Sequence, residues 1–153
     1  MDGVTLQNWA DAAKISIALD ATQSSSGKQS LKISKNDSVW GGVFIKTLFK
    51  NNATYRFSCR VKIPDDSPNQ PQMSLTVMYV VSPGGKRQIS KPFPPLSVRA
   101  AGDWTEVECI FTINEPEGDV LESGVSGIIF PTGTTPDCTL YVDDVELRRI
   151  AQD

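Results

Sequence analysis

Tyr55-Arg56-Phe57-Ser58-Cys59-Arg60-Val61-Lys62-Ile63 alternates without a break, apolar at every odd position and polar or basic at every even one. A strand turns successive side chains to opposite faces. The run therefore places Tyr55, Phe57, Cys59, Val61 and Ile63 in a core and leaves Arg56, Ser58, Arg60 and Lys62 on the far side. The same period recurs in Ile15–Leu19, Leu31–Ile33, Met73 to Val81, Trp104 to Ile113, Val125 to Phe130 and Thr139 to Leu147. Gly, Pro, Asn and Asp clusters bound these runs, and helical periodicity is nearly absent. About eight to ten short strands joined by polar turns imply an all-β chain, a two-sheet antiparallel β-sandwich of the jelly-roll kind.

The connections follow from the same punctuation. Pro83-Gly84-Gly85 reads as a turn, and Lys91-Pro92-Phe93-Pro94-Pro95 lacks ladder donors at its prolines, so it reads as a loop or an edge segment. Asp65-Asp66-Ser67-Pro68-Asn69-Gln70-Pro71 lies between consecutive strands and reads as a long hairpin connection rather than a domain linker. With 153 residues and no visible linker, residues 1–153 read as a single domain.

Bulk chemistry removes several function classes. A net charge of −3 offers no basic footprint for a phosphate backbone, and no apolar run approaches the roughly 20 residues a bilayer span needs. The reading is of a monomer with neither nucleic-acid nor membrane partners. The absence of histidine removes Ser-His and Cys-His nucleophile activation and the commonest transition-metal ligand. A carboxylate pair of the glycosidase kind stays open, but no acidic pair stands in a context that marks it as catalytic. Cys59, Cys109 and Cys138 are odd in number and lack CxxC spacing, so neither a zinc site nor a full disulfide framework follows, and Cys59 and Cys109 read as buried small hydrophobes.

What remains points to binding. Counting from Val43 and Ile45 as core positions puts Trp40, Phe44 and Lys46 on the opposite face of their strand, beside Gly41 and Gly42, which carry nothing to cover an aromatic ring. Flat aromatic surface next to hydrogen-bonding groups suits sugar rings. Met78 and Val80 make the far face of their strand unusually apolar in the same way. Trp9 and Trp104 stand at strand edges and read as packing at the sandwich ends.

Several blocks then stand in a telling order: Asp2-Gly3 with Trp9, Ser26-Gly27-Lys28-Gln29-Ser30-Leu31-Lys32-Ile33, Trp40-Gly41-Gly42, Thr54-Tyr55-Arg56-Phe57-Ser58, Trp104-Thr105 and Leu140-Tyr141-Val142-Asp143-Asp144-Val145. Together they resemble the carbohydrate-binding modules of the family 4, 9, 16 and 22 group, most of all family 22. The resemblance implies a non-catalytic, secreted β-sandwich. It would hold a polysaccharide, xylan or β-glucan, in a cleft on a concave sheet and target an appended glycoside hydrolase as its catalytic domain. It gives Trp40 a stacking role and makes Tyr79 and Phe130 cleft residues, although alternation turns Tyr79 inward unless a bulge near Val80-Val81 reverses it. Phe130 replaces a polar residue of the family pattern, and the arginine expected after Trp9 is missing. Phe44, Met78, Arg60 and Lys62 complete the candidate glycan contacts, the two basic residues as donors to hydroxyls or to an acidic sugar.

The resemblance also implies a structural calcium held by Asp2, a backbone carbonyl near Lys28 and Asp143. The competing reading of Asp143-Asp144 is a bulge at the strand's exposed end. A jelly-roll domain that mediates protein contacts or supports a neighbouring enzyme is the alternative to glycan binding.

Overall fold

The computed structural model describes residues 15–36, 43–68, 73–93, 103–116, 120–130 and 137–150, with side chains inside 120–130 described at 127 and 128 alone. Among the described residues nine strands run in chain order: β1 Ile15–Asp20, β2 Ser30–Lys35, β3 Val43–Lys46, β4 Ala53–Lys62, β5 Ser74–Ser82, β6 Gly85–Pro92, β7 Thr105–Ile113, β8 Val120–Phe130 and β9 Cys138–Ile150. They form two antiparallel sheets, β1-β2-β9-β4-β7 and β3-β8-β5-β6. No helix occurs among the described residues.

Alternation decides which face each strand buries. On β4, Tyr55, Phe57, Cys59 and Val61 are buried in the core, as the opening run requires. Leu31, Ile33, Val107, Phe111, Leu140 and Val142 join them from the same sheet. Val43, Ile45, Leu75, Val77, Tyr79, Val81 and Ile128 meet them from the other. Each fully buried large side chain of this set contributes about 1.5–3 kcal/mol, so the two inner faces hold the sheets together. Aromatic rings gather at one end of the layer. Phe111 stacks on its ladder partner Tyr55 at 5.5 Å, and Phe49 meets both Tyr55 and Tyr79 edge-on at 5.3 and 6.4 Å.

Three expectations change. The segment around Asp65-Asp66 is no hairpin, because β4 and β5 belong to different sheets and the chain crosses the sandwich there. The edge reading of Lys91-Pro92 holds, but the edge strand extends back to Gly85, with Ile89 packed on the core. Pro92 is tolerated because only one side of β6 is paired. The last two strands are longer than their apolar cores suggest, since β8 begins at Val120 and β9 continues through Arg148 and Arg149 to Ile150.

At Asp143-Asp144 the β4–β9 ladder slips between Ser58 and Arg60, and Asp144 takes φ 50°. The pair is a bulge, but it lies midway along β9 with Asp143 buried, not at an exposed strand end. It leaves Val142 and Val145 on the core side while Asp143 points off the opposite face.

Candidate functional site

The outer face of the four-stranded sheet carries part of the expected glycan surface. Along one ladder row stand Lys46, Gly127, Met78 and Gln88; along the next stand Phe44, Ile129, Thr76 and Ser90. Phe44 lies outside the core cluster, in agreement with the alternation, yet it is only 5% exposed. Its ring occupies the space above Gly127. A Cβ built there would collide with that ring and with the Ile45 carbonyl, so glycine leaves the room the ring occupies. Met78 is half-buried beside it, and Lys46, Gln88 and Ser90 are exposed around this apolar strip.

Tyr79 does not belong to that face. It is 4% exposed within the core, and the β5–β8 register shift beside it, between Met78 and Val80, does not reverse it. Its hydroxyl donates to Glu115 Oε1 at 2.7 Å, and Arg87 Nε lies 3.4 Å from Glu115 Oε2. Asn51 closes the cluster by accepting the Glu115 amide at 2.8 Å and donating to its carbonyl at 3.1 Å. Burial first, and then the Glu115 contact, push the Tyr79 phenol up to about 12. The signal for a cleft Tyr was the family pattern; the signal against it was strand parity, and parity prevails.

Arg60 and Lys62 lie on the wrong sheet. Both project from β4 on the outer face of the five-stranded sheet, with the two sheets and the core between them and Phe44. Stacked sheets sit about 10 Å apart, so these cations and the Phe44 strip cannot touch one sugar ring. Both are also engaged by the loop that joins β1 to β2. Lys62 Nζ donates to Gln23 Oε1 at 2.9 Å, and Arg60 Nη1 donates to Ser25 Oγ at 3.1 Å. Arg60 Nε lies 4.0 Å from Asp144 Oδ2, whose carboxylate also accepts the Ser26 hydroxyl.

Of the remaining expected residues, Trp40 and Asp2 lie outside the described residues. Phe130 stands opposite Val43 in the ladder, the row whose β3 member faces the core, and not in the Phe44 row. Lys28 is exposed, one residue after Gly27 at φ 66°.

Comparison with known proteins places this geometry. The family model described as "Carbohydrate binding domain" matches residues 2–122. The chain belongs to that family. It is therefore a non-catalytic carbohydrate-binding domain, one of a class that binds polysaccharide and is often fused to catalytic domains. Among solved structures, the CBM22-1 xylan-binding domain of Paenibacillus barcinonensis Xyn10C superposes with a TM-score of 0.68 at 16% identity, covering 99% of this chain and 91% of that one. The CBM22-1–GH10 portion of Clostridium thermocellum xylanase 10B, complexed with xylohexaose, gives 0.68 and 16%, covering 99% of this chain and 28% of that one. The family 30 module of the C. thermocellum cellulase Cel9D-Cel44B gives 0.67 at 13%, covering 95% and 91%. At these identities the likeness is one of fold. No curated protein sequence matches the chain.

For a carbohydrate-binding domain, the described strip is an apolar floor ringed by hydrogen-bonding groups. Sequence reasoning missed two of its determinants. Gly127 is one of a pair of glycines in an otherwise branched run, Gly124-Val125-Ser126-Gly127-Ile128-Ile129, and a strand glycine is a recognised sign of close approach by another group. Thr76 is buried on this outer face, which signals that the face is partly covered near β5.

Proposed function

We propose that this carbohydrate-binding domain holds a plant-type polysaccharide chain, xylan or β-glucan, across the outer face of the four-stranded sheet. The observation that carries the reading is the row Lys46-Gly127-Met78-Gln88 with the Phe44 ring laid over its glycine. A pyranose ring offers an apolar face and a rim of hydroxyls. The half-buried Met78 thioether, supported from beneath by the Phe44 ring, meets the first, while ammonium, amide and hydroxyl groups at the rim meet the second. Trp40 supplies the stacking ring, and the domain is secreted and directs an appended glycoside hydrolase to its polymer.

Affinity electrophoresis through gels containing xylan, β-glucan, glucomannan or pectin tests this. Retardation on xylan or β-glucan that is lost in Trp40→Ala and weakened in Met78→Ala is the expected outcome. Absence of retardation on every polymer would leave the protein-contact or support reading in its place.

A further inference from the structure

The carboxylate expected to bind calcium is committed to other partners. Asp143 is 6% exposed, and its Oδ2 accepts the backbone N–H groups of Ser25 at 2.8 Å and Ser26 at 3.1 Å. Its Oδ1 accepts the amide of Asp144 at 2.8 Å. An ionised carboxylate has about four lone-pair sites, so three are already aimed at hydrogens whose positive ends face the oxygens. Gly27 follows the two loop amides in the left-handed region at φ 66°. Successive amides ahead of such a residue form a concavity selective for anions.

The neighbouring acid offers no better seat. Asp144 is turned to the Ser26 hydroxyl and lies 4.0 Å from the Arg60 guanidinium, a fixed cation that repels another. Hard-cation sites of the calcium type gather 6–8 oxygens at roughly 2.3–2.6 Å. Among the described residues no group of three or more acidic, Cys or His side chains is placed to hold a metal ion. The described members of the expected set do not fit the metal.

We propose that in this chain Asp143 takes over the fastening role by itself: its buried carboxylate, seated on the Ser25, Ser26 and Asp144 amides, pins the β1–β2 loop to β9 without a divalent cation. Arg60 and Lys62 secure the same loop from β4 through Ser25 and Gln23. The loop is thus closed by an anion on amides, where a metal would close it by a cation on oxygens.

Amide hydrogen exchange by NMR, on the full chain in EGTA and again with excess calcium chloride, separates the two. Ser25 and Ser26 amides should be protected in EGTA, and neither their protection nor the melting temperature should change with calcium. In Asp143→Asn one oxygen becomes a donor facing backbone donors, and exchange at these two amides should rise by ~10-fold or more. Asp144→Asn, which keeps the Asp143 contacts, should leave them protected. Protection that appears only with calcium, or a melting temperature that calcium raises in the parent chain and not in Asp143→Asn, would overturn the proposal. The parent-chain comparison decides even if Asp143→Asn does not fold.

Discussion

Tyr79→Phe separates the core from the binding face with one oxygen atom. The substitution keeps the ring that meets Phe49 edge-on at 6.4 Å and removes only the hydroxyl that donates to Glu115 Oε1 at 2.7 Å. A hydrogen bond to a charged acceptor contributes about 1.5–3 kcal/mol. Arg87, 3.4 Å from the other oxygen of a Glu115 side chain that is only 10% exposed, retains part of that stabilisation, so a loss of ~1.5–2.5 kcal/mol follows. For a domain of this size each kcal/mol lowers the melting temperature by about 2–4 °C, giving a fall of ~3–10 °C. Urea unfolding followed by tryptophan fluorescence should show a lower midpoint at unchanged slope, because the surface exposed on unfolding is the same. Retardation in polysaccharide gels should be unchanged. Full stability together with lost retardation would refute the reasoning and return Tyr79 to the glycan face.

Two further outcomes follow from the same geometry. Arg60→Ala and Lys62→Ala should leave glycan retardation unaltered and cost less than about 1 kcal/mol each in urea unfolding, since exposed polar pairs contribute little. Alkaline stability should fall in a defined window: burial raises Cys109 from 9.0 to about 11 and, with Glu115, raises Tyr79 from 10.0 to about 12. Both groups hold their protons longer when folded, so their contribution is complete below about pH 9 and is lost as pH rises to about 12. Urea midpoints measured against pH should trace that fall, and Tyr79→Phe should flatten its upper part.

Strand parity carried the fold because every β4 core position could be counted from one unbroken alternation, and burial of Phe57, Cys59 and Val61 follows from that count. Parity is a property of one strand, whereas sheet membership is not. Arg60 and Phe44 each face away from the core, but only the ladders reveal that they do so on opposite sides of the molecule. The same gap produced the mistaken hairpin at Asp65-Asp66, where a long polar connection crosses between sheets. Glu115 was invisible for another reason. It lies just beyond β7 in the segment Asn114-Glu115-Pro116, and its value arises from Tyr79 on β5, Arg87 on β6 and Asn51 ahead of β4, which stand 64 residues or fewer away in sequence. Asp143 drew notice because two adjacent acids in a β-type run demand an explanation, and the family resemblance supplied calcium as that explanation. Its partners are instead the amides of Ser25 and Ser26, and backbone donors leave no trace in a residue pattern.

The position of β9 between β2 and β4 sets the order in which the chain can become a protein. Leu31 pairs with Val142 and Val61 pairs with the same residue from the other side, so the middle of the five-stranded sheet is supplied by its last strand. Until that strand leaves the ribosome, β2 and β4 each present an unpaired edge backed by apolar side chains, the kind of surface that recruits other chains. Closing contacts more than 100 residues apart also slows folding, because the loop entropy is lost before the pairing compensates it. A gene fragment trimmed to the 2–122 span that the family model matches would omit β9 altogether and keep only three residues of β8, so each sheet would lose an internal strand and be split in two.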